Sequence, residues 1–332
     1  IEENRVQART SYTLKDFSDH YIEQREQRRE VAPTTLVRLR AQLKVACRLL
    51  GEARLEELTP AMINEAYAAM MGGDSPSGRK LGGAYVSQIH TTLSLALDLA
   101  VREGLLVENP CDKADQPRVD TKPRKAASPE AVHVMVALLD ETSPRDMAYM
   151  LAVTMGLRRG EICGLSWSDV DFESNIVDIS HSLDNLGNLR QTKTKAGMRL
   201  LPLSEDLRDA LLRYREAQRG QVAEINARRK RGEQPIVMGE DFPVITNAAG
   251  SRVTTYTLTN WWYDDRAKFG MEGYTLHELR HTYLTLLALS GVHPKVMQEL
   301  AGHHSSKITM DIYAHVNMDA KREAMTAVSK VF

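Results

Sequence analysis

The sequence has few cysteines and lacks a long hydrophobic run. The three cysteines, Cys47, Cys111 and Cys163, are an odd number without metal-ligand spacing, which argues against a disulfide framework and against a cysteine-rich zinc site. We therefore expect reduced thiols in a cytoplasmic protein. The longest apolar stretch, Met147–Leu157, is far shorter than the roughly 20 residues that span a bilayer, so the sequence predicts no membrane helix.

The sequence also has no large excess of charge of one sign. Forty-three Lys and Arg residues face 44 Asp and Glu residues, a net charge of −1, so any nucleic-acid surface must come from local basic clusters. The content of 42% hydrophobic and 26% charged residues is near the globular average. The length suits two domains of roughly 100–200 residues each. No signal-peptide pattern opens the chain, and because it begins with Ile1 we expect an N-terminal piece to be missing.

The first 115 residues predict a compact all-α domain of four helices. Apolar residues recur at helical spacing after the capping residue Thr13, after Pro33 and after Thr59-Pro60. The segment Gly72–Gly83 is rich in Gly, Ser and Pro and predicts a loop, and a fourth helical pattern follows over Tyr85–Arg102.

The rest of the chain has a mixed pattern. Helical periodicity runs through Asp140 and again through Met155, and returns from Glu205. Between them, strand-like segments at 175–182, after the turn 185–188 and at 200–203 predict a small antiparallel sheet of about three strands. A basic run at 228–231 predicts an exposed loop, and 319–332 predicts a short C-terminal helix.

Four segments carry side chains suited to phosphate chemistry: Gly156–Glu161, His277–His281, Ala301–His304 and Met310–His315. Taken singly, each has an ordinary explanation as a surface charge, a core histidine or a packed aromatic. Together they supply the parts of a metal-free phosphoryl transfer. Guanidiniums bind the phosphate oxygens, histidines bind the same oxygens or move a proton, and a tyrosine attacks.

The order and spacing of these segments resemble those of the tyrosine recombinases, in particular the integrases of temperate phages and conjugative transposons. The similarity covers nearly the whole chain and is strongest in GLRRGE (Gly156–Glu161), KTKAGMRLLPL (Lys193–Leu203) and Leu276–His315. It implies a mainly α fold with a small antiparallel β-sheet, arranged as a two-domain C-shaped DNA clamp.

The implied domains are a helical core-binding (SAM-like) domain at 1–115, a basic linker at 116–126 and a catalytic domain at 127–332 that ends in an exchange helix. The linker composition fits either a solvated tether or a strand that crosses a DNA backbone, and both interpretations stay open. The family's transposon-like members often carry a further N-terminal arm-binding domain, and we expect that such a domain is missing before Ile1.

The resemblance implies a role for each matching residue in the first two blocks. Arg158 is the first phosphate-binding arginine, with Glu161 as a supporting carboxylate one helical turn later. Lys193, in a β-hairpin, is the general acid that protonates the 5′-hydroxyl leaving group. Lys195 lies in the same hairpin and is the competing candidate for that role.

The third block completes the implied site. His277 and Arg280 match the family's HxxR box, as proton acceptor and second phosphate-binding arginine. His303 matches the histidine of the LGH motif, and Tyr313, ten residues later, matches the nucleophile. One departure is that Ala301 stands before Gly302-His303 where the family commonly has leucine, and this position has no chemical role.

The implied partners are double-stranded DNA carrying recombination sites, further copies of the chain in a tetramer with the C-terminal helix exchanged in trans, and accessory DNA-bending or excision factors. The resemblance implies no metal or nucleotide cofactor and a nucleoid-associated location in a bacterial cell. Phosphate contacts raise affinity and salt sensitivity without specifying sequence. The candidate DNA contacts are Arg38, Lys44, Arg79, Lys80, Lys122, Arg124 and Lys125.

Three alternatives remain. A type IB topoisomerase shares the chemistry but relaxes DNA without paired sites, and a non-catalytic relative would only bind DNA. His277–His281 also satisfies the HExxH pattern of zinc metalloproteases, with Glu299 as a third ligand. The zinc interpretation leaves Arg158 and Tyr313 unexplained.

Overall fold

The computed structural model describes residues 12–29, 31–73, 78–119, 125–192, 197–230, 232–303 and 305–316. The chain divides into two compact units, residues 1–122 and 123–332. Each unit buries its own apolar core.

The described residues of the first unit confirm the predicted helices: α1 (Leu14–Gln27), α2 (Pro33–Leu50), α3 (Pro60–Gly72) and α4 (Gly83–Arg102). The hydroxyls of Thr13 and Thr59 accept hydrogen bonds from backbone N–H groups in the first turns of α1 and α3, as N-cap residues do. The apolar faces meet in a core that includes Phe17, Leu43 and Leu93.

The start of the predicted linker is attached to this helical unit. The amide of Asp115 donates to Oδ1 of Asn64 on α3 at 2.8 Å, and the side chain of Gln116 donates to Oγ of Ser87 on α4 at 2.9 Å. Residues 120–124, which include Lys122 and Arg124, lie outside the described residues.

The second unit is mostly helical. Its helices are α5 (Pro129–Ala137), α6 (Pro144–Thr154), α7 (Arg159–Gly164), α8 (Glu205–Ala227), α9 (Thr255–Asp265), α10 (Leu276–Leu289), α11 (Pro294–Ala301) and α12 (Ser306–Val316). Nearly every side chain of α6 is buried, which accounts for the apolar run that the sequence shows there. Within the described parts of the chain, no helix is long and apolar enough to cross a membrane.

The small antiparallel sheet is confirmed, but its membership differs from the prediction. The strands are β1 (Val170–Asp171), β2 (Ile176–Ile179), β3 (His181–Leu183), β4 (Leu189–Gln191) and β5 (Arg199–Pro202). The order β1-β2-β5 forms one sheet, and β3 and β4 form a separate hairpin. The predicted strand at 175–182 is thus interrupted at Ser180, and its two halves pair with different partners. The two-residue β1 is too short to show an alternating pattern.

Further expectations concern the basic run after α8, the candidate lysines and the C-terminal end of the chain. After α8, Arg228 and Lys230 are exposed, as predicted for the basic run. Arg231, the hairpin lysines Lys193 and Lys195, and the predicted C-terminal helix at 319–332 lie outside the described residues.

Candidate functional site

The turn after α6 brings the first predicted arginine to the start of α7. Gly156 has φ 61, in the left-handed region that favours glycine. A Cβ at this position would overlap the ring of Tyr283 on α10, so close packing requires glycine as well. The chain then places Arg158 at the N-cap of α7.

The carboxylate of Glu161 binds both the backbone amide and the side chain of Arg158. The amide of Arg158 donates to Oε2 of Glu161 at 2.9 Å, and Nη1 donates to Oε1 at 2.7 Å. The Glu161 side chain is 2% exposed, whereas the Arg158 side chain is 38% exposed. The guanidinium of Arg158 is therefore held by Glu161 through Nη1 and is still partly open to solvent.

A second arginine, Arg199 at the start of β5, binds the same carboxylate. Its Nη1 and Nη2 donate to Oε1 and Oε2 of Glu161 at 3.0 and 2.9 Å, and its side chain is 7% exposed. Burial alone would raise the pKa of Glu161. The hydrogen bonds and charge of Arg199, and the charge of Arg158, outweigh burial and lower this pKa to about 2. Glu161 is thus ionised at neutral pH.

Three guanidiniums meet at the C-terminal end of α11, where backbone carbonyls have no partner within the helix and carry partial negative charge. The bonds run to three successive carbonyls: Arg199 Nε to Leu300 at 2.9 Å, Arg280 Nη2 to Ala301, and Arg158 Nη2 to Gly302 at 2.7 Å. The end of α11 is consequently held by the same arginines that the sequence indicated for phosphate binding, together with Arg199.

Arg280 on α10 is buried and also donates from Nη1 to the carbonyl of Gly156. Burial first, and then the neighbouring charge of Arg158, lower the pKa of Arg280 to about 9. The group remains protonated at neutral pH. The site therefore gathers more positive than negative charge, which suits an anionic ligand.

His303 follows α11 directly and is buried beside the arginines. Its Nδ1 lies 3.0 Å from Oγ1 of Thr309 on α12. Burial first, and then the charges of Arg280 and Arg158, lower the pKa of His303 to about 4, so the ring is neutral at ordinary pH. With Nδ1 engaged by Thr309, Nε2 is the ring nitrogen left to meet a ligand.

Tyr313 lies on α12, one helical turn after Thr309 and on the same face of the helix. It is half-buried and packs against an apolar cluster formed by α10, α11 and α12. Within the described residues, that cluster consists of Leu284, Ala288, Met297, Ala301 and Ile312. Packing and the Thr309–His303 contact thus hold the helix of Tyr313 against α10, α11 and His303.

His277 lies in the first turn of α10, one turn before Arg280. It is exposed and lines an open groove together with Arg158, Tyr263 of α9 and Ser182 of the β3–β4 hairpin. The groove gives the arginine site access to a large ligand.

The zinc interpretation of His277–His281 gains no support. Glu278 caps its own helix by accepting from the amide of Thr275 at 2.6 Å, and Glu299 is exposed and pairs with Lys295 at 3.6 Å. No cluster of three metal-binding side chains occurs in the described part of the chain.

The structure thus pairs Arg158 with Glu161 directly. Arg280 and Arg158 bind the successive carbonyls of Ala301 and Gly302, directly before His303. The predicted DNA contacts Arg38, Lys44, Arg79, Lys80 and Lys125 are exposed. Arg199 and Thr309 were missed by sequence reasoning. A signal for Arg199 existed, because it alternates with the buried Leu201 and Leu203 and therefore faces the core side of β5.

A comparison with protein-family models decides the relationship: the model described as the phage integrase family matches residues 129–320, more than half of the chain. The chain belongs to the phage integrase family.

Curated relatives of this phage integrase-family chain come from several bacteria. It is 27% identical over 266 residues to a XerC-like tyrosine recombinase of Caldanaerobacter subterraneus, and 28% identical over 251 residues to the ICEBs1 integrase of Bacillus subtilis. It is 26% identical over 270 residues to the transposase of transposon Tn916 from Enterococcus faecalis. These alignments include 73–75% of this chain and 66%, 64% and 63% of the three relatives, so the chain spans slightly less than two thirds of their length.

Solved structures share the fold of this family member. One is a Tn1549 transposon integrase in complex with a circular intermediate DNA, with a TM-score of 0.75, 22% identity, and coverage of 96% of this chain and 100% of that one. Another is a lambda integrase tetramer bound to a Holliday junction, with a TM-score of 0.66, 21% identity, and coverage of 91% and 80%.

Proposed function

We propose that this phage integrase-family chain is a site-specific DNA recombinase that cleaves and rejoins DNA through a covalent bond between Tyr313 and a DNA 3′-phosphate. The observation that carries the proposal is the arginine cluster. Arg158 and Arg280 are held by protein carbonyls beside the neutral His303, and the helix of Tyr313 packs against the same segment.

Hydrogen-bond donors remain available for a phosphate. A guanidinium has five N–H donors, and the protein contacts of Arg158 and of Arg280 use two in each case. The remaining donors bind the non-bridging oxygens and stabilise the charge that develops on them in the pentavalent transition state. His303 donates from Nε2 to one of the same oxygens.

In the cleavage step, Oη of Tyr313 attacks phosphorus, a new P–O bond forms to the phenol, and the bond to the 5′-oxygen breaks. His277 accepts the phenol proton, and Lys193, with Lys195 as the competing candidate, protonates the departing 5′-oxygen. Rejoining reverses these transfers. The phosphotyrosine keeps the bond energy of the phosphodiester, so the reaction needs no nucleotide.

The names of the relatives support the biological role. The ICEBs1 integrase and the transposase of transposon Tn916 suggest that this chain integrates and excises a mobile element. The tetramer of lambda integrase on a Holliday junction suggests strand exchange within a tetramer of this chain. We further propose that residues 1–115 bind the DNA core site and that exposed Arg38, Lys44, Arg79, Lys80 and Lys125 contact its backbone.

A covalent-capture selection tests the proposal and identifies the DNA site in the same experiment. The protein is mixed with duplexes of randomised sequence that carry a nick in one strand, so that the released fragment diffuses away and the adduct is trapped. We expect denaturation-resistant adducts that converge on one sequence with the wild-type chain and disappear with Tyr313→Phe. No adduct with either protein would overturn the proposal.

The selected sequence then separates recombination from relaxation. A plasmid with two copies of the site should yield deletion or inversion products. Relaxation of a plasmid with one copy, without any recombinant product from two copies, would indicate a topoisomerase instead.

A further inference from the structure

We propose that Arg199 is a positioning residue of the cleavage site, which sets the placement of Arg158 and of the α11 end without binding DNA. The inference rests on the proposed function. It concerns a residue of the KTKAGMRLLPL segment to which the family resemblance assigned no role. Arg199 lies on β5 and reaches the site only through another side chain and the α11 backbone.

The donors of Arg199 are occupied by protein. Its Nε donates to the carbonyl of Leu300, its Nη1 to Oε1 of Glu161 and the carbonyl of Gly197, and its Nη2 to Oε2 of Glu161. Four of the five N–H donors of a guanidinium are therefore engaged, and the side chain is buried. Arg158 differs in both respects, because it has free donors and solvent access.

Arg199 joins three segments that are distant in sequence. It pairs with Glu161 of α7, it caps the C-terminal end of α11 just before His303, and it begins β5, which pairs with Ile179 of β2. In the sequence, Lys193 precedes this strand. A single side chain thus sets the relative positions of the first arginine, the histidine and the strand that follows the candidate general acid.

Removal of Arg199 takes one hydrogen-bond donor from each oxygen of the buried Glu161, and Arg158 remains bound to both oxygens. Arg158 then becomes the only cation in contact with that carboxylate among the described residues, so its guanidinium is drawn toward Glu161 and away from a phosphate. The Leu300 carbonyl also loses its donor. Because catalytic groups must lie within a fraction of an ångström of their productive positions, a shift of about 1 Å lowers the rate by on the order of 10²-fold.

The test compares Arg199→Met and Arg199→Lys with a control, Arg145→Met. Arg145 also pairs with a partly buried carboxylate, Asp265 at 3.2 Å, but touches none of the site residues. The readouts are single-turnover cleavage of the selected nicked duplex, equilibrium binding of the same duplex, and the pKa of His303 by NMR.

For Arg199→Met we expect cleavage to fall on the order of 10²-fold, with DNA binding close to wild type. The pKa of His303 should rise from about 4, because Arg199 is one of the charges that lower it. In Arg199→Lys the pKa of His303 should stay low, because the positive charge is kept. This variant should still cleave slowly, since a lysine cannot make the bidentate hydrogen bond to Glu161. Arg145→Met should cleave at the wild-type rate.

Wild-type cleavage by a folded Arg199→Met, or by Arg199→Lys, would overturn the inference, as would an equal loss in Arg145→Met. If Arg199→Met does not fold, the double variant Glu161→Gln/Arg199→Met removes both buried charges and takes its place, with the same expected loss. Failure of the proposed function is distinct, because the wild-type chain would then form no adduct at all.

Discussion

Glu161→Gln should destabilise the second unit strongly, because the carboxylate is the only anion in contact with Arg158 and Arg199 among the described residues. The amide has nearly the same shape but carries no charge. One of its two ends presents N–H donors to a guanidinium that can only donate. The substitution therefore leaves buried positive charge without compensation.

The size of the effect follows from the pKa of Glu161, which is lowered from 4.5 to about 2 although burial alone would raise it. At about 1.4 kcal/mol per pH unit, this corresponds to about 3 kcal/mol of stability at neutral pH. The same order, about 3–5 kcal/mol, is typical when one partner of a buried ion pair is removed.

The sign of the pH dependence is fixed by the direction of that shift. A lowered pKa in the folded chain means that the stabilisation is present above the unfolded pKa of 4.5 and is lost as pH falls toward about 2. Urea unfolding of wild type and Glu161→Gln at several pH values measures the difference in unfolding free energy. We expect about 3 kcal/mol near pH 7 and less below about pH 4.5.

The control is Glu141→Gln, whose carboxylate pairs with the exposed Arg213 and should change stability far less than Glu161→Gln, because solvent screens an exposed ion pair. A Glu161→Gln loss as small as that of Glu141→Gln, or a loss that does not change with pH, would contradict the reasoning.

Three further substitutions probe the surroundings of the site. The wild-type chain should lose stability as pH drops from 6.5 to about 4, because the folded chain favours the neutral ring of His303. His303→Gln should abolish this loss, and an unchanged slope of stability against pH would count against the prediction. Gly156→Ala should cost more than Gly187→Ala in thermal unfolding, since both have positive φ but only Gly156 has a ring, that of Tyr283, where the Cβ would be. Thr309→Val should slow cleavage while Thr309→Ser preserves it, because serine keeps the hydroxyl that contacts His303; equal rates would show that the contact is unimportant.

The helices were predictable because local rules decide them. Thr13 and Thr59 cap helices where the sequence indicated, and apolar spacing marked the faces that became buried. The strands were less predictable, since they have only two to four residues and their pairing depends on distant segments. Helix α7 has six residues, too few for a periodic pattern.

The candidate site was predictable as a set of residues but not as an arrangement. Motif resemblance indicated Arg158, Arg280 and His303. The placement of the two arginines depends on two carbonyls at the end of α11, which no sequence pattern marks. Arg199 lies in the KTKAGMRLLPL segment, where the resemblance assigned it no role. Its alternation with Leu201 was the available signal that it faces inward.

The identity of the tyrosine joined to DNA tests the central claim most directly. Tyr313 is half-buried on α12, and Tyr283 on α10 offers an alternative, with a ring that packs against Gly156 and a pKa that is raised chiefly by burial. Adducts trapped on the selected nicked duplex would be digested with protease and nuclease, and the modified peptide sequenced by mass spectrometry. We predict a nucleotide 3′-phosphate on Tyr313. A phosphate on Tyr283, or on any other residue, would contradict the account.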